Sequence, residues 1–189
     1  MAVLVAGLLV FLGLHSVAIV APRWRDAQVA RFGEVRWKGL YSLVSAIALV
    51  MIIVGYGLAR QAPTVLYVSP PALRHLAWLL MLPVFVLLLA AYLPGRIQAA
   101  TRHPMLLATK LWATAHLLAN GSVADVVLFG GFLAWAVADR ISMKRRVPRV
   151  HPELPAGRFN DAIALVGGLA LYGVTIGFLH VWLIGVAPS

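Results

Sequence analysis

The sequence predicts an all-α integral membrane bundle of six transmembrane helices. Three observations predict it. Hydrophobic residues make up 62% of the chain and charged residues only 12%, against about half and about a quarter in an average globular domain. The apolar residues come in blocks close to the roughly 20 residues needed to cross a bilayer, and the mean hydropathy is +0.91. The basic residues fall almost wholly in the connections between those blocks. Six spans in 189 residues leave no room for a separate aqueous domain, so residues 1–189 read as one polytopic transmembrane domain. Soluble, disordered and fibrous classes are excluded on composition. The formal net charge of +10 would suggest nucleic acid in a soluble protein. Here it is a topology signal beside membrane lipids, and no nucleic-acid partner is expected. With no cysteine, disulfides, covalently attached haem and thiolate-ligated metal sites are ruled out.

The first span runs from about Ala2 to Ala21 and stops at Pro22. It lacks a basic leader, and its apolar stretch exceeds a usual signal-peptide core, so it reads as a retained span. The second runs from about Leu40 to Leu58, and the third from about Ala72 to Leu93, before Pro94. The fourth opens on Pro104, a favoured first-turn residue, and ends at Asn120-Gly121. The fifth runs from about Ser122 to Ala138, where Ser122 and Asp125 have capping-box spacing. The sixth runs from about Ala162 to Val186. Its Gly173 and Gly177 make a GxxxG pair, expected to let another helix of the same chain approach closely.

Orientation follows from Lys and Arg. The first, third and fifth connections hold thirteen, including Arg23, Arg25, Arg31, Arg36 and Lys38 in the first and Arg140, Lys144, Arg145, Arg146, Arg149 and Arg158 in the fifth. The second connection holds two, Arg60 and Arg74, and the fourth none. The positive-inside rule then places both termini in the periplasm.

An ionisable residue inside a span is costly and marks a functional candidate. His75, His103 and His151 fall at interfaces or in a loop, whereas His15, His116 and His180 lie inside spans. His116 shares a helical stripe with Met105, Thr109, Trp112, Ala113 and Asn120 that is expected to face the bundle interior. One reading makes His15 and His116 histidines hydrogen-bonded to backbone or hydroxyls. The other makes them metal ligands. Zinc wants three or four donors, which the spans do not supply. Haem needs only axial imidazoles and an apolar slot lined by residues such as Trp112. Counted from the helix ends, the two histidines differ in depth by about 8 Å. Lys110 can snorkel to the headgroups or meet a haem carboxylate. Arg102, at the membrane surface, can meet a lipid phosphate or the same carboxylate.

Two groups of segments carry a resemblance. One is Arg102-His103-Pro104-Met105-Leu106, Leu111 through Gly121 and Phe129 to Trp135; the other is Leu14-His15-Ser16, Gly33-Glu34-Val35-Arg36 and Tyr41-Ser42-Leu43. Together they resemble the NnrU family, over nearly the whole chain. The resemblance implies a multi-pass protein of the bacterial inner membrane that supports nitrite and nitric oxide reduction in denitrification, with reductase components as partners. The same motifs are distantly similar to the 15-cis-zeta-carotene isomerase, a membrane enzyme carrying haem b. Its functional histidines match His15, in a His-Ser pair, and His116, thirteen residues after His103. Trp135 and Ala136 stand where the isomerase has a further histidine. The resemblance therefore implies haem b ligated by His15 and His116, with Arg102, Lys110 and Trp112 around it. The alternatives are a haem-dependent cis–trans isomerase of a lipophilic polyene and a cofactor-free assembly scaffold.

Overall fold

A computed structural model describes residues 1–145 and 154–186. Arg146, Arg149, His151 and Ser189, used in the sequence argument, lie outside the described residues. Among the described residues the chain is helical apart from turns, extended connections and one isolated bridge between Val65 and Ser122. In order the helices are α1 (Ala2–Val20), α2 (Pro22–Phe32), α3 (Glu34–Ala59), α4 (Pro71–Met81), α5 (Val84–Ala90), α6 (Arg96–Thr101), α7 (Pro104–Ala119), α8 (Val123–Ser142), α9 (Asn160–Val174) and α10 (His180–Ile184). A π turn, Thr175–Leu179, joins the last two.

Among the described residues, four stretches are long and apolar enough to cross a membrane: Ala2–Val20, Glu34–Ala59, Pro71–Ala90 and Asn160–Ile184. The fourth and fifth expected spans fall short for different reasons. α7 has 16 residues, about 24 Å at the helical rise against a hydrocarbon core of about 30 Å. α8 has 20 residues but includes Asp125, Asp139 and Arg140. The third expected span is interrupted at Pro83, which cannot donate to the ladder. Helices α2 and α6 occupy stretches expected to be plain connections.

The chain divides into two compact units. The first comprises residues 1–66 and 122–146, and the second residues 67–121 and 147–189. In the first, α1 packs antiparallel to α3 and parallel to α8. A Cβ on Gly7 would meet Ile52 N at 2.9 Å, and one on Gly55 would meet the Leu4 backbone, so the absence of side chains lets the α1 and α3 backbones touch. Along α8, Phe11 meets Phe132 and His15 meets Trp135, which sets the parallel direction. The N-terminus of α8 closes as its sequence suggested. Ser122 Oγ accepts from Asp125 N at 3.3 Å, and Ser122 N donates to Asp125 Oδ2 at 2.8 Å. Tyr56 Oη donates to Asp125 Oδ1 at 2.5 Å, tying the capped end to α3. The carboxylate of Asp125 is thus buried but satisfied.

In the second unit, Val84 and Leu87 of α5 and Ala108 of α7 form a buried cluster, flanked by Leu107, Leu111 and Trp112. Helix α9 reaches α5 at Gly168, where an added Cβ would lie 2.5 Å from Val86 Cα. Gly173 and Gly177 have nothing within 4 Å of such a Cβ. The close-approach glycine is therefore Gly168, and the expected GxxxG seam faces open space.

The start of α6 and the end of α7 are both fastened. Asp161 accepts from Arg96 N and Ile97 N at 2.9 and 3.0 Å, capping α6. Asn160 Nδ2 donates to Pro94 O at 2.9 Å. At the other end of α7, the carbonyls left over by the helix are taken by hydroxyls. Tyr67 Oη donates to Leu117 O and Asn120 O, and Ser69 Oγ to Leu118 O. Such groups would otherwise be unsatisfied in an apolar medium.

Candidate functional site

His15 lies on α1 in the first unit; His116, Arg102, Lys110 and Trp112 lie in or beside α7 in the second. Each unit therefore holds one of the two histidines that the sequence singles out as metal-ligand candidates.

The two imidazoles share one local geometry. His15 Nδ1 is 2.7 Å from Phe11 O, and His116 Nδ1 is 2.8 Å from Trp112 O, in each case the carbonyl one turn earlier. A carbonyl can only accept, so Nδ1 carries the proton. In a neutral ring the lone pair then belongs to Nε2, the nitrogen further from the helix. This is the tautomer a metal-ligating histidine adopts when a backbone carbonyl fixes its other nitrogen.

The surroundings of His15 are aromatic. Its ring stacks on Phe11 with centroids 4.2 Å apart and takes the edges of Tyr41 at 5.2 Å and Trp135 at 5.9 Å. Asp139, one turn beyond Trp135, is buried. Two buried side-chain atoms of this unit have no hydrogen-bond partner, Trp135 Nε1 and Ser45 Oγ, the latter one turn along α3 from Tyr41. Buried polar atoms of this kind are uncommon and each calls for a reason. Phe11 shares the His15 side by helical spacing, whereas Tyr41 and Trp135 reach His15 from α3 and α8, which spacing within α1 does not show.

Around His116, the Trp112 ring lies 5.3 Å away, and Asn120 Nδ2 donates to His116 O at 3.1 Å. The stripe expected to face the interior is only partly enclosed. Trp112 packs on the α5–α7 cluster together with Leu107 and Leu111, and Ala113 is fully buried, whereas Met105 is 38% exposed. Thr109 Oγ1 bonds back to Met105 O at 3.0 Å and makes no link to another helix. Lys110 is half-buried and forms no ion pair among the described residues.

Arg102 has φ 59° and ψ −36°. His103 N donates across it to Thr101 O at 2.7 Å, the three-residue pattern of a γ-turn, strained for a residue with a side chain. The strain turns the chain sharply between α6 and α7, puts His103 at the N-cap and Pro104 at the first helical position, and leaves the Arg102 side chain exposed.

Residues 3–188 match the family model described as NnrU protein. The chain belongs to the NnrU family. No curated protein and no solved structure matches it. Among the described residues no group of three or more His, Cys, Asp or Glu that could hold a metal ion occurs.

Proposed function

We propose that this NnrU-family protein works in the bacterial inner membrane in support of nitrite and nitric oxide reduction, and that it binds haem b through the imidazoles of His15 and His116. The observation that carries the haem reading is the pair of Nδ1–H to backbone carbonyl bonds, at 2.7 and 2.8 Å, which present Nε2 as the donor atom on both rings. Apolar and aromatic walls support it: Phe11, Tyr41 and Trp135 around His15, and Trp112 beside His116. Lys110 and Arg102 supply positive charge for the carboxylates of the macrocycle. When bound, haem would supply one-electron exchange, or a seat for nitric oxide where one of the two imidazoles gives way, which is the link to nitrogen-oxide chemistry. The role of the protein residues is to fix the tautomer, exclude water and bind the porphyrin. Reductase components are the proposed partners.

We further propose six spans with both termini periplasmic. The two acidic residues that set α8 apart from the apolar helices are both buried, so they would not face lipid, and Asp125 is satisfied by Tyr56 and Ser122. The 16 residues of α7 are flanked by the ordered turns at Arg102 and Asn120, which would complete its passage. A deletion strain tests the biological role. Aerobic growth should be unaffected, and growth on nitrate or nitrite should fail or accumulate nitrite or nitric oxide. Normal denitrification in a strain without a paralogue would refute it.

A further inference from the structure

One end of the first unit gathers charge from three separate stretches of sequence. The antiparallel packing of α1 on α3, and the parallel packing of α1 on α8, bring the C-terminus of α1, the N-terminus of α3 and the C-terminus of α8 to the same end. Arg23, Arg25, Arg31, Arg36 and Lys38 arrive there through α2 and the first turns of α3. Arg140, Lys144 and Arg145 arrive through the end of α8. The acids of the α2–α3 stretch are already engaged: Asp26 pairs with Arg25 at 2.8 Å, and Glu34 with Lys38 at 2.7 Å. Arg23, Arg31 and Arg36 form no ion pair among the described residues.

Helix α2 itself has no buried residue. It begins one residue after the membrane-crossing α1 ends, so it cannot leave the interface. Large apolar groups stand out between its cations and those of α3. Trp24 is 53% exposed, Phe32 48% and Val35 85%. Trp24 rests edge-on against Trp37, centroids 6.0 Å apart, and Arg31 lies over the Phe32 ring. Unpaired guanidinium groups alternating with exposed rings match a headgroup layer, where rings enter the acyl boundary and cations meet phosphate. An acidic protein partner would complement the charge but leave Val35 and Trp24 without a reason to be bare.

We propose that α2, the first turns of α3 and the end of α8 form a binding surface for anionic phospholipid headgroups, with Arg23, Arg31 and Arg36 as its phosphate contacts. Guanidinium suits this task because it binds phosphate oxygens through two parallel N–H bonds.

The test uses the full chain in phosphatidylcholine nanodiscs containing a minor fraction of brominated phosphatidylglycerol, or the same fraction of brominated phosphatidylcholine. Bromine quenches nearby tryptophan. The anionic probe should quench more strongly, and W24F should remove much of that excess. Each lost charge at an anionic surface is worth roughly fivefold in binding, so R23Q/R31Q/R36Q should weaken the preference at least ~10-fold, whereas R23K/R31K/R36K should largely retain it. Salt at about 1 M, where the screening length is about 3 Å, should abolish the preference in the unaltered protein, an arm that holds even if the glutamine variant fails to fold. Equal quenching by the two probes overturns the proposal, as does a preference that survives high salt. Polyglutamate binding to the discs without any lipid preference would replace it with an acidic protein partner.

Discussion

Replacing Gly168 with alanine would place a methyl group 2.5 Å from the Cα of Val86 and 2.5 Å from its nitrogen. Neither atom can rotate away, because both belong to the α5 backbone. Ordinary contact begins near 3.4 Å, so α5 and α9 must separate by about 0.9 Å at that point. A radial gap of this size forfeits a quarter to a half of each dispersion contact along the interface. Overpacking of this kind costs about 1–3 kcal/mol. Gly173→Ala and Gly177→Ala add a methyl group where nothing lies within 4 Å. They should be neutral or gain up to about 1 kcal/mol from helix propensity. Thermal unfolding in detergent resolves the two classes, since 1 kcal/mol moves the midpoint by roughly 2–4 °C in a protein of this size. Gly168→Ala should lower the midpoint and the other two should not. Equal loss at Gly173 or Gly177 would refute the reasoning, by showing that this face is packed in the working protein.

Four other predictions concern packing, capping and orientation. Leu107→Arg should reduce the folded yield more than Thr109→Arg, because Leu107 packs on the Val84–Leu87–Ala108 cluster and a charge there would be buried without a partner; equal yields would contradict the assignment of faces. Tyr56→Phe removes a hydrogen bond to the buried Asp125 carboxylate, and detergent unfolding should show a loss of about 1.5–3 kcal/mol. Tyr67→Phe uncaps the end of α7 and should speed hydrogen exchange around Asn120 and Gly121 without changing exchange in α1. A periplasm-dependent reporter fused after Ser189 should be active, and activity of a cytoplasm-only reporter there would contradict the proposed orientation.

Local features were legible in the sequence, and features that need a neighbour were not. The Ser122–Asp125 cap depends on residues three apart, and the structure forms it as written. The helix start at Pro104 follows from the fixed φ of proline and its missing N–H. The choice between Gly168 and the Gly173–Gly177 pair was illegible, because small-residue spacing says that a helix can approach but not which side has a partner. The stripe on α7 is legible in part: its Trp112 packs on the α5–α7 cluster and its Ala113 is buried, while the meeting of Leu107, Ala108 and Leu111 with α5 depends on a neighbour that spacing does not show. His15 and His116 stood out because imidazole is rare in apolar spans. Their Nδ1 bonds to Phe11 and Trp112, and the orphaned Trp135 Nε1 beside His15, required coordinates. Helix α2 was hidden because its polar composition resembles a loop, and only its tethering between α1 and α3 gives it a fixed surface role.

The central claim is that His15 and His116 supply iron ligation to haem b, and the absorption spectrum of the purified protein tests it most directly. Protein from haem-replete cells should show a six-coordinate, low-spin b-type spectrum, oxidised and reduced. His15→Ala and His116→Ala should each abolish or alter it, because loss of one imidazole leaves a five-coordinate iron or no bound haem. His75→Ala should leave the spectrum unchanged. A colourless, fully folded protein, or a haem spectrum indifferent to both intramembrane histidines, would contradict the account.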